Sequence, residues 1–159
     1  MEKRKILFVC LGNICRSPAA EAVMQKLIES QGLTENFELD SAGILDYHKG
    51  EQADHRMRSH ALRRGYNITH ISRQIKINDF LYFDLILGMD ASNIEKINQL
   101  ASNVKHNAEI KLLTDFSQEL NYDHVPDPYY GGPDGFELVL DIAEDSCKGV
   151  LKAYTRNEE

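Results

Sequence analysis

Hydrophobic positions along this chain switch repeatedly between two periods. Residues 5–9 (Lys-Ile-Leu-Phe-Val) make an almost continuous apolar run, the kind buried on both faces of a parallel sheet. Ala20, Val23, Met24, Leu27 and Ile28 then recur at i, i+3, i+4, i+7 and i+8, one face of a helix that should end near Gly32. Ahead of it, Ser17-Pro18 reads as an N-cap followed by a proline at the first helical position, where the missing N–H costs nothing. Residues 37–43 alternate like a strand. A helix over about 53–64 turns Met57, Ala61 and Leu62 inward and stops at Gly65. A short apolar strand at 84–88 precedes Asp90, which can cap a helix carrying Ile94, Ile97, Leu100 and Ala101; residues 109–113 make a fourth strand. The final helix is the most regular, with Phe136, Val139, Leu140, Ala143, Cys147, Val150, Leu151 and Tyr154 on one stripe. Asp134 and Glu137 before it have the spacing of a capping box. Strands alternating with helices predict right-handed βαβ crossovers and a parallel sheet covered on both faces. Ligands in such folds bind beyond the carboxyl ends of the strands, where loops feed helix N-termini.

Composition narrows this to one α/β domain spanning residues 1–159. With 42% hydrophobic residues, 4 Pro and 10 Gly, the chain is neither disordered nor collagen-like, and a core is within reach without disulfides or metal. No stretch approaches the roughly 20 apolar residues of a membrane span. Lys3, Arg4 and Lys5 precede the apolar run 6–11, but that run is shorter than a signal-peptide core and Gly12-Asn13 breaks it without a cleavage site. A buried strand and a cytoplasmic protein are therefore expected. The net charge of −7 disfavours nucleic acid and anionic membranes as partners. It is uneven: residues 1–80 carry +2 and residues 81–159 carry −9, so anion-binding chemistry belongs to the first half. Three cysteines do not make a disulfide framework.

The first strand runs into Cys10-Leu11-Gly12-Asn13-Ile14-Cys15-Arg16-Ser17, and a helix begins at once. A tight loop followed by a helix N-terminus gathers backbone N–H groups into a nest for a phosphate-sized anion. Gly12 and Asn13 tolerate the left-handed backbone such a loop needs. Arg16 adds a planar fork able to grip two phosphate oxygens. Cys10 sits at the base of this positive field, where its thiolate is expected to be favoured. Ser17 can donate to that thiolate or simply cap the helix. A nucleotide-binding Walker loop would end in Gly-Lys-Ser/Thr, which this loop lacks.

The segment from Cys10 to Pro18 resembles the signature of the low-molecular-weight protein tyrosine phosphatases, and Asp127-Pro128-Tyr129-Tyr130 lies where that family carries its acid loop. The resemblance covers nearly the whole chain. It implies a three-layer α/β sandwich with a four-stranded parallel sheet in the order 2-1-3-4. It also implies hydrolysis of phosphotyrosine in a protein or peptide through a phosphocysteine, without metal or cofactor, releasing inorganic phosphate. Cys10 is then the nucleophile, Arg16 and the amides of Leu11, Gly12, Asn13, Ile14, Cys15 and Ser17 bind phosphate, and Asp127 is the general acid. A phenol leaves poorly because its pKa is about 10, so a carboxylic acid beside the leaving oxygen answers a chemical need. Tyr129 and Tyr130 become one aromatic wall for the substrate ring and Tyr47 the opposite wall, with Asp46 and His48 beside it. Asn13, Ser41 and His70 match positions that support the phosphate loop.

Read without the resemblance, the Tyr pair is packing and His70 an ordinary buried polar residue. Cys15 is either a small filler beneath the loop or a thiol that forms a disulfide with Cys10 under oxidation, the reading the resemblance favours. Cys147 falls on a core stripe. His55 and His60 are five residues apart and point in different directions on a helix, so no metal site is expected. Two relatives of this chemistry fit less well. Arsenate reduction on this scaffold needs further cysteines near residues 80–90, which hold none. The arginine phosphatases of the family carry a small Thr where this chain has Ile14. A phosphoprotein-binding module without turnover would be expected to lack the thiol or the acid, and both are here.

Overall fold

The computed structural model describes residues 3–129 and 131–155. The apolar run at the N-terminus forms β1 (Arg4–Cys10), the central strand of a four-stranded sheet. It pairs on one side with β2 (Phe37–Gly43), from Arg4↔Phe37 to Cys10↔Gly43, and on the other with β3 (Leu85–Gly88), from Ile6↔Leu85 to Val9↔Gly88. β4 (Glu109–Leu112) completes the sheet beside β3. All pairs are parallel and the order is β2-β1-β3-β4, as the resemblance implied.

Alternation along the strands divides the core in two. Ile6, Phe8, Leu85 and Leu87 pack against α1 (Arg16–Ser30) and the long C-terminal α5 (Pro133–Thr155), with Ala20, Val23, Met24, Val139 and Leu140 among their partners. Leu7, Val9 and Ile86 face the opposite layer, formed by the one-turn α3 (Asp79–Tyr82) and α4 (Ala91–Ala101) through Phe80, Phe83 and Ile97. Each fully buried large side chain contributes roughly 1.5–3 kcal/mol, so these two layers fix the sheet against which the loops are arranged. The remaining helix, α2 (His55–Arg63), sits against α5 and carries Met57 and Ala61 inward, whereas Leu62, expected beside them, faces away and is exposed. No helix among the described residues is long and apolar enough to cross a membrane.

Several termini differ from the sequence expectation. α1 begins at Arg16, its cap position is Cys15, and no side chain caps it. Pro18 is therefore the third helical residue, still among the four N-terminal positions whose N–H lacks a partner within the helix. α2 is shorter than 53–64 because Asp54 caps it, its carboxylate accepting from Arg56 N–H. Asp90 does cap α4, in a box closed by Asn93. α5 begins at Pro133, which places Asp134 inside the first turn. Glu137 does not reach back to close a capping box, because His60 and Arg64 from the end of α2 take its carboxylate. α3 and the 3₁₀ turns Thr34–Asn36 and Leu113–Phe116 are too short to leave a period in the sequence.

Candidate active site

β1 ends at Cys10 and α1 starts at Arg16, so residues 11–15 must reverse the chain at the carboxyl edge of the sheet. The loop is anchored from outside by its carbonyls. Cys10 and Leu11 carbonyls accept from the N–H groups of Ile44 and Leu45 (both 2.9 Å), that of Gly12 from Ser72 Oγ (3.2 Å) and that of Ile14 from Asp54 N–H (2.8 Å). With these carbonyls turned into the scaffold, N–H groups turn to the concave side. Those of Asn13 and Ser17 point at Cys10 Sγ, at 3.3 and 3.4 Å.

Asn13 is the only non-glycine residue among those described with a positive φ, 59°. Its side chain is what holds it there. Nδ2 donates to Ser17 Oγ (2.8 Å) and Ser41 Oγ (3.0 Å), while Oδ1 accepts from Arg73 N–H (3.0 Å) and faces His70 Nε2 at 2.8 Å. An amide oxygen only accepts, so His70 carries a proton on Nε2. Gly12, expected to share the left-handed backbone, does not. Its lack of a side chain serves close approach instead, since a Cβ there would lie 3.2 Å from His48 Cδ2. Ser17 proves to be bound to the sulfur rather than capping the helix. With Asn13 on one lone pair, its hydroxyl is free to donate to Cys10 Sγ, 3.0 Å away.

Arg16 is only 3% exposed. Its guanidinium donates to Asp90 Oδ2 (2.7 Å) and to the Val125 carbonyl (3.1 Å) and lies 3.6 Å from Asp127 Oδ2. Burial opposes its charge, but the sulfur of Cys10 with Asp90 and Asp127 outweighs burial and holds the proton more tightly than on an ordinary arginine. Asp127 is exposed at the mouth, and its Oδ1 accepts from Tyr129 N–H at 3.0 Å. Cys15 lines the same pocket, but burial, then Asp54 and Cys10, push its thiol up and keep it neutral. Cys147 is core, as its place on the α5 stripe predicted, with its thiol donating to the Ala20 carbonyl (3.7 Å).

Cys10, Cys15, Arg16 and Asp127 line a cavity of about 320 Å³. Cys10, 3% exposed, lies at its base, while Tyr47 is 80% exposed at the mouth. Between these depths the walls are Ile14 and Leu45 and a row of rings. Tyr47 meets His48 edge-on at 5.0 Å and His48 lies 6.2 Å from Tyr129. The predicted wall residue Tyr130 lies outside the described residues.

Sequence reasoning missed the groups behind the loop. Ser41, found by the resemblance, donates to Glu21 Oε1 at 2.7 Å, and burial pushes the Glu21 carboxyl up to about 7. His70 Nδ1 lies 3.5 Å from Glu21 and 3.3 Å from Asp40, which is also paired with Arg73 at 3.1 Å. Glu21, Asp40 and His70 are the group among the described residues that could hold a metal, their ligand atoms lying within 4.8 Å of one another. Their partners describe a different role. Ser41 and Arg73 already engage both carboxylates, and His70, with Nε2 protonated, leaves Nδ1 to share a proton with them. Asp90 was legible only as a helix cap. Nothing in its sequence position shows that its other oxygen holds Arg16, 74 residues away.

A family model described as low molecular weight phosphotyrosine protein phosphatase matches residues 5–159. The chain belongs to that family. It is 41% identical over 150 residues to the human low molecular weight phosphotyrosine protein phosphatase, covering 94% of both chains. Among solved structures, a protein tyrosine phosphatase from Entamoeba histolytica superposes with a TM-score of 0.92 at 44% identity, covering 99% of this chain and 100% of that one. A Drosophila arginine phosphatase superposes with a TM-score of 0.90 at 31% identity, covering 94% and 97%. Family membership makes the chain a hydrolase; the choice of phosphorylated substrate rests on the pocket.

Proposed function

We propose that the protein hydrolyses phosphotyrosine in proteins or peptides through a phosphocysteine on Cys10. The observation that carries this is the depth of the pocket, with a sulfur at its base, aromatic rings at its mouth and a carboxyl group beside the path out. A phosphoryl group on a phenyl ring reaches Cys10 while its ring lies against the row of Tyr47, His48 and Tyr129. The shorter stem of phosphoserine would leave that ring row without a partner.

In the first step the Cys10 sulfur attacks phosphorus in line, the S–P bond forms and the P–O bond to tyrosine breaks. The Asn13 and Ser17 amides and the Ser17 hydroxyl support the attacking anion. Arg16, fixed in orientation by Asp90 and the Val125 carbonyl, is placed to stabilise charge on the equatorial phosphoryl oxygens, a fixed electrostatic contribution with no reorganisation at the moment of reaction. Asp127 gives its proton to the departing tyrosinate. In the second step Asp127 takes a proton from water, which attacks phosphorus, frees the sulfur and yields inorganic phosphate. Nucleophile, proton donor and charge stabilisation are all supplied by side chains and amides, so the scheme calls for no cofactor.

Turnover of phenyl phosphate and of a phosphotyrosine peptide tests the reading. Cys10→Ser should abolish both, and Asp127→Asn should lower kcat/KM for phenyl phosphate by about 100-fold or more. Undiminished activity in either variant would remove that residue from its role. The Ile14 side chain narrows the pocket, and a phosphoarginine peptide hydrolysed faster than the phosphotyrosine peptide would overturn the choice of substrate.

A further inference from the structure

Resting on that reading of Asp127, we propose that Arg56 is a positioning residue for the general acid, clamping the loop that bears Asp127 to the phosphate-binding loop. Arg56 stands on α2, outside the groups that line the pocket, yet it lies on an unbroken chain of contacts between the two loops. At one end the Asp54 N–H donates to the Ile14 carbonyl of the phosphate loop (2.8 Å). The Asp54 carboxylate then grips Arg56 in a fork, Nε to Oδ1 at 3.1 Å and one terminal nitrogen to Oδ2 at 2.9 Å. That same nitrogen donates to the Tyr129 carbonyl at 3.0 Å. Tyr129 in turn gives its N–H to Asp127 Oδ1, also at 3.0 Å. The guanidinium carbon lies 5.5 Å from the centre of the Tyr129 ring and 4.9 Å from that of Phe136, at the start of α5.

The geometry requires an arginine. One side chain must hold a carboxylate with two nitrogens, keep a further donation for a carbonyl and lie within reach of two rings, which a planar fork does and a point ammonium does not. The clamp also answers a structural need. Asp127 is exposed on a loop between two prolines, and its direct approach to the phosphate-loop side is 3.6 Å from Arg16. Proton transfer in the transition state is sensitive to misplacement of about 1 Å. By holding both the carbonyl and the ring of the residue whose N–H orients Asp127, Arg56 sets where that carboxyl stands relative to a phosphate bound by residues 11–16.

A clamp of this kind predicts a leaving-group signature. Loss of acid catalysis is felt most where the leaving oxygen is most basic, so Arg56→Gln should lower kcat/KM for phenyl phosphate about tenfold and for 4-nitrophenyl phosphate twofold or less. Inhibition by inorganic phosphate should be unchanged. Arg56→Lys should give the same selective loss in smaller measure, and it decides the matter if the Gln variant does not fold. Adding Arg56→Gln to Asp127→Asn should cost nothing further with phenyl phosphate. Equal losses on the two esters, or full additivity in the double variant, would overturn the clamp and leave a purely structural role. Asp127→Asn alone separates the two ideas. If it shows no dependence on leaving group, the acid assignment fails; if it shows one and both Arg56 variants do not, only the clamp fails.

Discussion

At the scale of single residues, the hydrogen bonds that shape the loop converge on Asn13. Four partners converge on one small amide, and the residue bears a left-handed backbone to meet them. The two demands can be separated by substitution. Asn13→Ala keeps the β-carbon that is strained at φ 59° but loses the four hydrogen bonds that offset it, at a cost of about 2–4 kcal/mol of stability. Asn13→Gly removes the steric cost and keeps only the loss of hydrogen bonds, so urea unfolding should place it about 1 kcal/mol above the Ala variant. Equal stability in the two would mean that the backbone conformation carries no cost. Both should lose activity, because Ser17 and His70 lose the partner that orients them. Much of this loop was legible in sequence, since a thiol, an arginine and turn-forming residues in this order point to an anion site on chemical grounds alone. What was not legible is the direction of each group. Ser17 is as good a cap as a sulfur ligand until Asn13 is seen on its oxygen, and Asp90, Glu21 and Asp40 reach their partners only through the fold.

At the scale of elements, one-sided stripes located the long helices and continuous apolar runs located β1 and β3 among the described residues, because each pattern repeats often enough to be counted. Ends and short turns were not so determined. The Asp134–Glu137 pair forms no capping box because α5 begins at Pro133, which puts Asp134 inside the helix, and His60 and Arg64 hold the Glu137 carboxylate. Gly149 shows the same limit from the other side. A glycine in mid-helix costs roughly 1 kcal/mol against alanine, and no period in the sequence explains it. In the fold, α5 crosses the 3₁₀ turn Leu113–Phe116 so closely that a Cβ at Gly149 would lie 1.8 Å from the Phe116 carbonyl oxygen. Four positions earlier on the same helix, Asp145 accepts from the N–H groups of Gln118, Glu119 and Leu120 and from Ser117 Oγ, pinning the segment that leads towards the acid loop. Gly149→Ala should therefore destabilise the protein by about 3 kcal/mol in urea unfolding, by overpacking against backbone that has nowhere to move. A gain in stability, as expected of Gly→Ala in an open helix, would show that the crossing is looser than this.

At the scale of the whole molecule, the anion site and the conformational stability meet in the proton held behind the phosphate loop. Glu21 stands half-buried on α1, facing Ser41 of β2, and its carboxyl is pushed up to about 7, chiefly by desolvation and further by Asp40, against the pull of Ser41 and Arg73. An unfolded glutamate titrates near 4.3, so the native state binds this proton more tightly than the unfolded chain. The stabilisation is complete below about pH 4 and is lost as pH rises towards 7. At about 1.4 kcal/mol per pH unit of displacement, this single group makes the protein on the order of 3 kcal/mol less stable at pH 8 than at pH 5. Carboxylates with the opposite bias, such as Asp54 and Glu137, are held below their ordinary range by Arg56 in one case and by Arg64 and His60 in the other. They lose their contribution only in acid, below about pH 4, and so do not mask the effect. Glu21→Gln keeps the acceptor for Ser41 while removing the charge, and it should flatten the dependence of unfolding free energy on pH between 5 and 8. If the parent and the variant lose stability in parallel across that range, Glu21 does not hold the proton that links stability to pH.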